Sequence, residues 1–152
     1  MQTTGDFGHI GQINTGEGKT TIISVASALK VVQGFKVHVI TSNEVLAREG
    51  VESTDRANFY KLLNISVSHN NPEEKSTGSL CVRTCYKADI CFGSINNFQF
   101  DWLKDSFEKL GTMGKLDFSQ IWLMLDEIDS LLIDQGSNLA KLSGPFPGLV
   151  LL

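Results

Sequence analysis

Two short motifs at opposite ends of this 152-residue chain contain residue types that bind and cleave a nucleoside triphosphate. The first is a glycine-rich loop made of Thr15, Gly16, Glu17, Gly18, Lys19 and Thr20. The second is an acidic run in which Asp126, Glu127 and Asp129 follow the apolar residues 121–125. A loop of the first kind holds phosphates, and acids at the end of a strand hold magnesium and orient water. The two motifs together therefore predict an ATP-driven enzyme.

The glycine-rich loop has the composition of a phosphate cradle. Gly16 and Gly18 allow the backbone to turn its N–H groups inward, and the helix that follows adds its positive end. We predict that Lys19 reaches the β- and γ-phosphates as a catalytic cation and that the Thr20 hydroxyl is a magnesium ligand. The strict pattern has glycine five residues before Gly18, where this chain has Ile13. A glycine turn that happens to precede a helix therefore remains an alternative for this motif alone.

The acidic motif supplies the groups that the phosphate loop lacks. Asp126 directly follows an apolar strand, which is the position of a magnesium-binding carboxylate, and Glu127 is placed to polarise an attacking water as a general base. Asp129 is predicted to couple the site to neighbouring loops. An acid-rich helix start is the alternative explanation, since carboxylates are favourable there in any protein. The phosphate loop in the same chain favours the catalytic interpretation.

Alternating strand and helix patterns surround the two motifs. Strands are predicted at 9–13, 37–40, 65–68, 88–92 and 121–125, helices at 19–33, 96–107 and from Thr54 or Asp55 through Leu63, and an exposed loop at 69–79. This alternation predicts an α/β fold with a mostly parallel sheet and helices on both faces. Ligands bind beyond the carboxyl ends of such strands, where both motifs fall. Apolar residues cover nearly the whole circumference of the helix at 19–33, which predicts its complete burial.

Composition and charge exclude several classes of protein. Hydrophobic residues make up 41% of the chain and charged residues 20%, which is typical of a globular domain, and we predict one domain over residues 1–152. The net charge of -4 and the absence of any Lys/Arg run give no strong nucleic-acid signal. No apolar run approaches the roughly 18 residues of a transmembrane segment. The apolar residues 148–152 at the end predict that the chain is a fragment of a longer motor protein.

Cysteine usage and aromatic residues carry weaker signals. The three cysteines, Cys81, Cys85 and Cys91, are odd in number, so we predict reduced thiols in a cytoplasmic protein rather than a zinc site. Phe98, Phe100 and Trp102 could stack on single-stranded nucleic acid, but aromatic residues of this kind more often pack in the core.

With these motifs in place, the chain resembles the first nucleotide-binding domain of the SecA family, the ATP-driven preprotein translocase motors of helicase superfamily 2. Four ordered segments carry the resemblance, which extends over about residues 9–145: 15–20, 37–48, 88–105, and 126–134 with 142–145. The resemblance implies a RecA-like P-loop NTPase fold and ATP with Mg²⁺ as cofactors. It assigns phosphate contacts to Lys19 and Thr20, magnesium to Thr20 and Asp126, and water activation to Glu127. The chain departs from the family at Asn14, where an arginine is usual, and at 135–138.

The resemblance also implies a function and its partners. A SecA-type motor couples ATP hydrolysis to polypeptide translocation, so unfolded polypeptide, membrane translocation machinery and a second motor domain of the same protein are expected partners. The protein would be cytoplasmic, with a possible peripheral position at a membrane. The isolated chain would hydrolyse ATP slowly, since the second domain supplies an arginine to the cleft. Two alternatives remain from the sequence: an RNA helicase-type ATPase domain, and a non-catalytic nucleotide-binding module of a larger scaffold.

Overall fold

Four parallel strands and four α-helices organise the part of the chain that the structure describes. A computed structural model describes residues 8–14, 16–71, 84–114 and 116–131. Its helices are α1 (Lys19–Val32), α2 (Glu44–Glu52), α3 (Thr54–Leu62) and α4 (Ile95–Leu103), and its strands are β1 (Lys36–Thr41), β2 (Val67–His69), β3 (Ile90–Ser94) and β4 (Ile121–Leu125). The strands form one sheet in the order β2-β3-β1-β4, and every neighbouring pair is parallel. The predicted α/β class with a mostly parallel sheet is confirmed.

Side chains alternate between two apolar layers along the central strand β1. Val37 and Val39 pack with residues of α1, α2 and α3 on one face of the sheet. Ile40 packs with Tyr86, Phe98 of α4 and other residues on the opposite face. Successive strand residues point to opposite faces, so a β1 buried on both sides needs apolar cover on each. Helices on both faces of the sheet are confirmed.

Helix α1 is only partly buried, and the prediction that its whole circumference is buried is wrong. The residues that face the sheet are the small ones, Ser24, Ser27 and Ala28, which allow the helix to approach the strands closely. Ile23 and Val31 are partly buried against the core, whereas four other large apolar residues point away and are between 47% and 72% exposed: Ile22, Val25, Leu29 and Val32. Apolar composition shows that a residue can be buried, whereas burial requires a second element on that side, and the described residues provide none there. Gly34 ends the helix with a φ of 95°, as its position predicted.

Two other predictions differ from the structure. Residues 9–13 form no strand in the described part of the chain, where no neighbouring strand offers them a hydrogen-bond ladder. The predicted exposed loop at 69–79 is wrong at its start, because His69 ends β2 while Asn70 and Asn71 are buried. The remainder of that predicted loop, 72–79, lies outside the described residues.

Helices α2, α3 and α4 differ in detail from the prediction. The Asn43 side chain accepts a hydrogen bond from Leu46 N–H at 2.9 Å, which starts α2, a helix that we did not predict. Helix α3 begins at Thr54, with Ser53 rather than Thr54 or Asp55 at its N-cap. The helix predicted at 96–107 is α4 followed by a π-helical turn, Lys104–Glu108.

Candidate functional site

The acidic motif emerges beside the carboxyl end of β1. Strand β4 pairs with β1 in parallel up to Ile40 opposite Leu125. The pairing continues past the end of β4, since Asp126 N–H donates to the Ile40 carbonyl at 2.9 Å. Asp126 and Glu127 are therefore held at the carboxyl end of the sheet, where the sequence predicted that a ligand would bind.

The glycine-rich loop turns directly into α1 at the same edge. Gly16 and Gly18 both have left-handed backbones, with φ of 88° and 78°, which glycine adopts without strain. The Gly18 carbonyl accepts hydrogen bonds from Thr21 and Ile22 N–H groups and so starts the helix. No side chain caps this helix start in the described residues, so its positive end remains available to an anion.

Glu17 stabilises the loop through hydrogen bonds with Asn14. Its carboxylate accepts hydrogen bonds from the Asn14 side chain at 3.0 Å and from the Asn14 backbone N–H at 3.1 Å. These bonds, the side-chain one first, hold the pKa of Glu17 below its ordinary value. Glu17, predicted among the nucleotide-binding residues, therefore has its carboxylate engaged with the loop itself.

Lys19 links the two motifs. Its ammonium nitrogen lies 3.0 Å from Asp126 Oδ1 and 3.2 Å from Glu127 Oε1. Partial burial lowers the pKa of Lys19, but the hydrogen bonds and charges of Asp126 and Glu127 outweigh that effect and raise it overall. The lysine is thus held charged between two carboxylates, at the place where phosphates would bring further negative charge.

Glu127 is fixed through both of its carboxylate oxygens. Oε1 contacts Lys19, and Oε2 accepts a hydrogen bond from the Ser42 hydroxyl at 3.0 Å. The Glu127 backbone is left-handed, with a φ of 57°, a conformation uncommon outside glycine. Ser42 lies in the segment 37–48 that carries the family resemblance, but the sequence analysis assigned it no role at the site.

Thr20 and Asp126 offer oxygen atoms suited to magnesium. Both residues line a small cavity of about 40 Å³, which residues of α1, α2 and the sheet and Arg56 of α3 also line. Hydroxyl and carboxylate oxygens are the ligands that Mg²⁺ prefers, and Mg²⁺ bound with a nucleotide needs only one or two protein ligands. The described residues contain no group of three or more His, Cys, Asp or Glu side chains able to hold a metal alone. The donor set therefore fits a metal bound together with phosphates.

A cleft of about 580 Å³ opens beside these residues. Lys19, Asp126, Glu127 and Asp129 line one part of it. Residues 10–13, predicted as a strand, instead form another part of its wall. Lys19 and the acidic motif therefore face the same cleft.

The structure brings most of the predicted site residues to one place. Lys19, Asp126 and Glu127 are in direct contact, Thr20 and Asp126 line one cavity, and the loop 16–18 leads into Lys19. Thr15 lies outside the described residues.

The weaker sequence signals have mixed outcomes. The core interpretation is confirmed for Phe98, which is buried, but not for Trp102, which is half-exposed. Cys91 is buried and Cys85 partly buried, neither forms a disulfide bond within the described residues, and Cys81 lies outside them. No helix among the described residues is long and apolar enough to cross a membrane.

Comparison with known proteins identifies the family. A model of the SecA DEAD-like domain matches residues 4–148. The chain is 34% identical over 139 residues to protein translocase subunit SecA 1 of Thermobifida fusca, which covers 91% of this chain and 14% of that protein. It is 33% identical over 144 residues to protein translocase subunit SecA 1 of Corynebacterium glutamicum, covering 93% of this chain and 16% of that protein.

Two conclusions follow from these matches. The chain spans about one-seventh of the length of the curated relatives that it matches. The parallel sheet with helices on both faces is the RecA-like α/β fold of the matched domain. The match over nearly the whole sequence agrees with the order of the motifs and with their meeting at one end of the sheet. The chain belongs to the SecA DEAD-like domain family.

Proposed function

We propose that this chain is the ATP-binding domain of a SecA-type motor that couples ATP hydrolysis to polypeptide translocation. The observation that carries the proposal is the contact of Lys19 with both Asp126 and Glu127, at 3.0 and 3.2 Å, across more than 100 residues of sequence. A paired lysine is common, but a lysine at the start of a helix after a glycine loop, facing two acids at a strand end, is the arrangement typical of P-loop NTPases.

The proposed roles follow from the chemistry of each group. The loop 15–20 would bind the phosphates through its backbone N–H groups, with Lys19 as the cation at the β- and γ-phosphates. Thr20 and Asp126 would hold Mg²⁺, whose chemistry is to neutralise charge that develops on the transferred phosphoryl group. Glu127 would accept a proton from the attacking water as the general base.

Nucleotide binding would rearrange the ion pairs of Lys19. In the structure the Lys19 ammonium compensates the two acids. When Lys19 turns to phosphate oxygens, Asp126 and Glu127 each lose a positive partner. Asp126 then becomes available as a metal ligand, and one oxygen of Glu127 becomes available to water. The same movement of Lys19 would therefore place a cation on the phosphates and leave Asp126 able to bind metal and Glu127 able to contact water.

The partners of the proposed motor lie outside this chain. The relatives are named translocase subunits, and each is several times longer than the chain. We propose that a second motor domain of the same protein closes the cleft and supplies an arginine, so that the isolated chain would turn over ATP slowly. Unfolded polypeptide and membrane translocation machinery are the proposed partners, with the protein on the cytoplasmic side of a membrane.

ATP turnover by the full-length protein tests this proposal. We expect stimulation by an unfolded polypeptide, no stimulation by single-stranded RNA, and loss of turnover in Lys19→Ala. The matched control is Lys61→Ala, which removes an exposed lysine from α3 and should leave turnover unchanged. Stimulation by RNA alone would replace the proposal with an RNA helicase, and tight ATP binding without turnover would replace it with a non-catalytic module.

A further inference from the structure

The two hydrogen-bond partners of Glu127 differ in charge, and they differ in whether their contact would persist when nucleotide binds. Lys19 contacts Oε1 at 3.2 Å and carries a full positive charge, whereas Ser42 donates a neutral hydroxyl to Oε2 at 3.0 Å. The proposed function assigns Lys19 to the phosphates, so that contact is lost when nucleotide binds. A hydroxyl has little attraction for a distant phosphate and does not neutralise a carboxylate. The Ser42 bond is therefore the one that can persist while Glu127 acts as a base.

Ser42 is held firmly by the chain on both sides of it. It follows directly after β1, whose register with β4 ends at Ile40 opposite Leu125 and, extended by two residues, places Ser42 beside Glu127. The preceding Thr41 is buried, and its hydroxyl donates to the Asn43 carbonyl at 2.8 Å. The following Asn43 caps α2. A donor between two such residues presents its hydroxyl from a fixed position.

Neither the backbone conformation of Glu127 nor the packing around it is enough to fix the direction of its carboxylate. A φ of 57° places it in the left-handed region, which non-glycine residues rarely adopt without support from their surroundings. The Glu127 side chain is also 40% exposed, so packing alone does not fix the carboxylate. Its direction therefore depends on the hydrogen bonds to its oxygens.

We propose that Ser42 is the positioning residue of the catalytic base: its hydroxyl holds Oε2 of Glu127 and leaves Oε1 directed at the attacking water once Lys19 has moved to the phosphates. This inference rests on the proposed function. A misdirected base affects the chemical step rather than nucleotide binding. Removal of the Ser42 hydroxyl should therefore lower the rate of ATP turnover and leave the affinity for ATP unchanged.

Ser42→Ala in the full-length protein tests the inference. We expect kcat for ATP hydrolysis to fall about tenfold, the size of effect that loss of a hydrogen bond to a charged group typically has, while the Kd for ATP changes less than about twofold. Ser42→Thr, which keeps a hydroxyl, should restore most of the turnover. Ser119→Ala is the matched control, because Ser119 also donates to a carboxylate, Asp117 at 2.6 Å, outside the site.

A double-variant comparison separates positioning from a general structural effect. In a Glu127→Gln background the base is absent, so adding Ser42→Ala should leave the residual single-turnover rate unchanged. An equal fall in both backgrounds, or a parallel loss of ATP affinity, would overturn the positioning role. An unaltered kcat in Ser42→Ala would overturn it while the proposed function stands. A wild-type protein without any turnover would refute both.

Discussion

His38 is a buried histidine whose protonation should set the acid stability of this domain. It lies in the central strand β1, is 5% exposed, and stacks on the Phe98 ring with 5.2 Å between ring centroids. Burial, and secondarily the positive charge of Lys36, lower the pKa of His38 from its ordinary 6.5 to about 4. The folded chain therefore holds this side chain neutral under conditions in which the unfolded chain would protonate it.

The sign and size of the effect follow from that difference in pKa. Because the folded pKa lies below the unfolded one, the unfolded chain binds the proton first as the pH falls. The contribution of His38 to the free energy of unfolding is complete above about pH 6.5 and is lost as the pH approaches 4. The full loss corresponds to roughly 3 kcal/mol, of which about 2 kcal/mol falls between pH 7 and pH 5. This is a large part of the stability of an ordinary domain, which is about 5–15 kcal/mol.

Urea denaturation at pH 7 and pH 5, followed by tryptophan fluorescence, measures the effect. His38→Phe keeps an aromatic ring against Phe98 but removes the titration, so its stability should change by about 2 kcal/mol less than that of the wild type over this interval. His9→Gln is the control, because His9 is exposed and its replacement should leave the wild-type pH dependence intact. Equal pH dependence in His38→Phe and the wild type would refute the assignment.

Two further predictions concern the close packing of Gly93 against Asn70 and the role of Glu127 as the proposed catalytic base. A Cβ at Gly93 would overlap the buried side chain of Asn70, so Gly93→Ala should lower the free energy of unfolding by about 2–4 kcal/mol in urea denaturation. Gly11→Ala meets open space and should change it by less than about 0.5 kcal/mol, and equal effects would show that Asn70 adapts. Glu127→Gln should retain ATP binding, measured by calorimetry, while steady-state hydrolysis disappears, and wild-type turnover in that variant would remove Glu127 from the role of base.

Elements with a strong local signal could be predicted from the sequence. The apolar run at 121–125 corresponds to β4 residue for residue, and α1 begins at Lys19, directly after the glycine loop, as predicted. The meeting of Lys19 with Asp126 and Glu127 could also be predicted, because parallel strands end at one edge of the sheet and the helix after the loop starts there. In these cases the short-range pattern and the long-range arrangement favour the same structure.

Features that depend on a second, distant element could not be predicted in the same way. The outward apolar face of α1, with Val25 and Leu29, has the composition of a buried helix, but burial depends on what stands opposite. Residues 9–13 have the composition of a strand without a described partner to pair with. The bond between Ser42 and Glu127 joins positions 85 apart and depends on the β1–β4 register and a left-handed residue, neither of which appears in local composition.

The ion pairs of Lys19 hold the acids in place without opposing the proposed binding of ATP. The lysine side chain is 36% exposed and that of Glu127 is 40% exposed, so their ion pair contributes about 1 kcal/mol or less. Binding of a ligand at micromolar affinity corresponds to about 8 kcal/mol, so transfer of Lys19 to phosphates is a small fraction of that free energy. The Asp126 side chain is only 15% exposed, so its loss of Lys19 would cost more free energy than that of Glu127 unless the proposed Mg²⁺ replaces the lysine charge. In the proposed cycle, the partial exposure of Lys19 and Glu127 would allow the lysine to hold the acids before binding and to release them on binding, while Ser42 would keep its bond to Glu127.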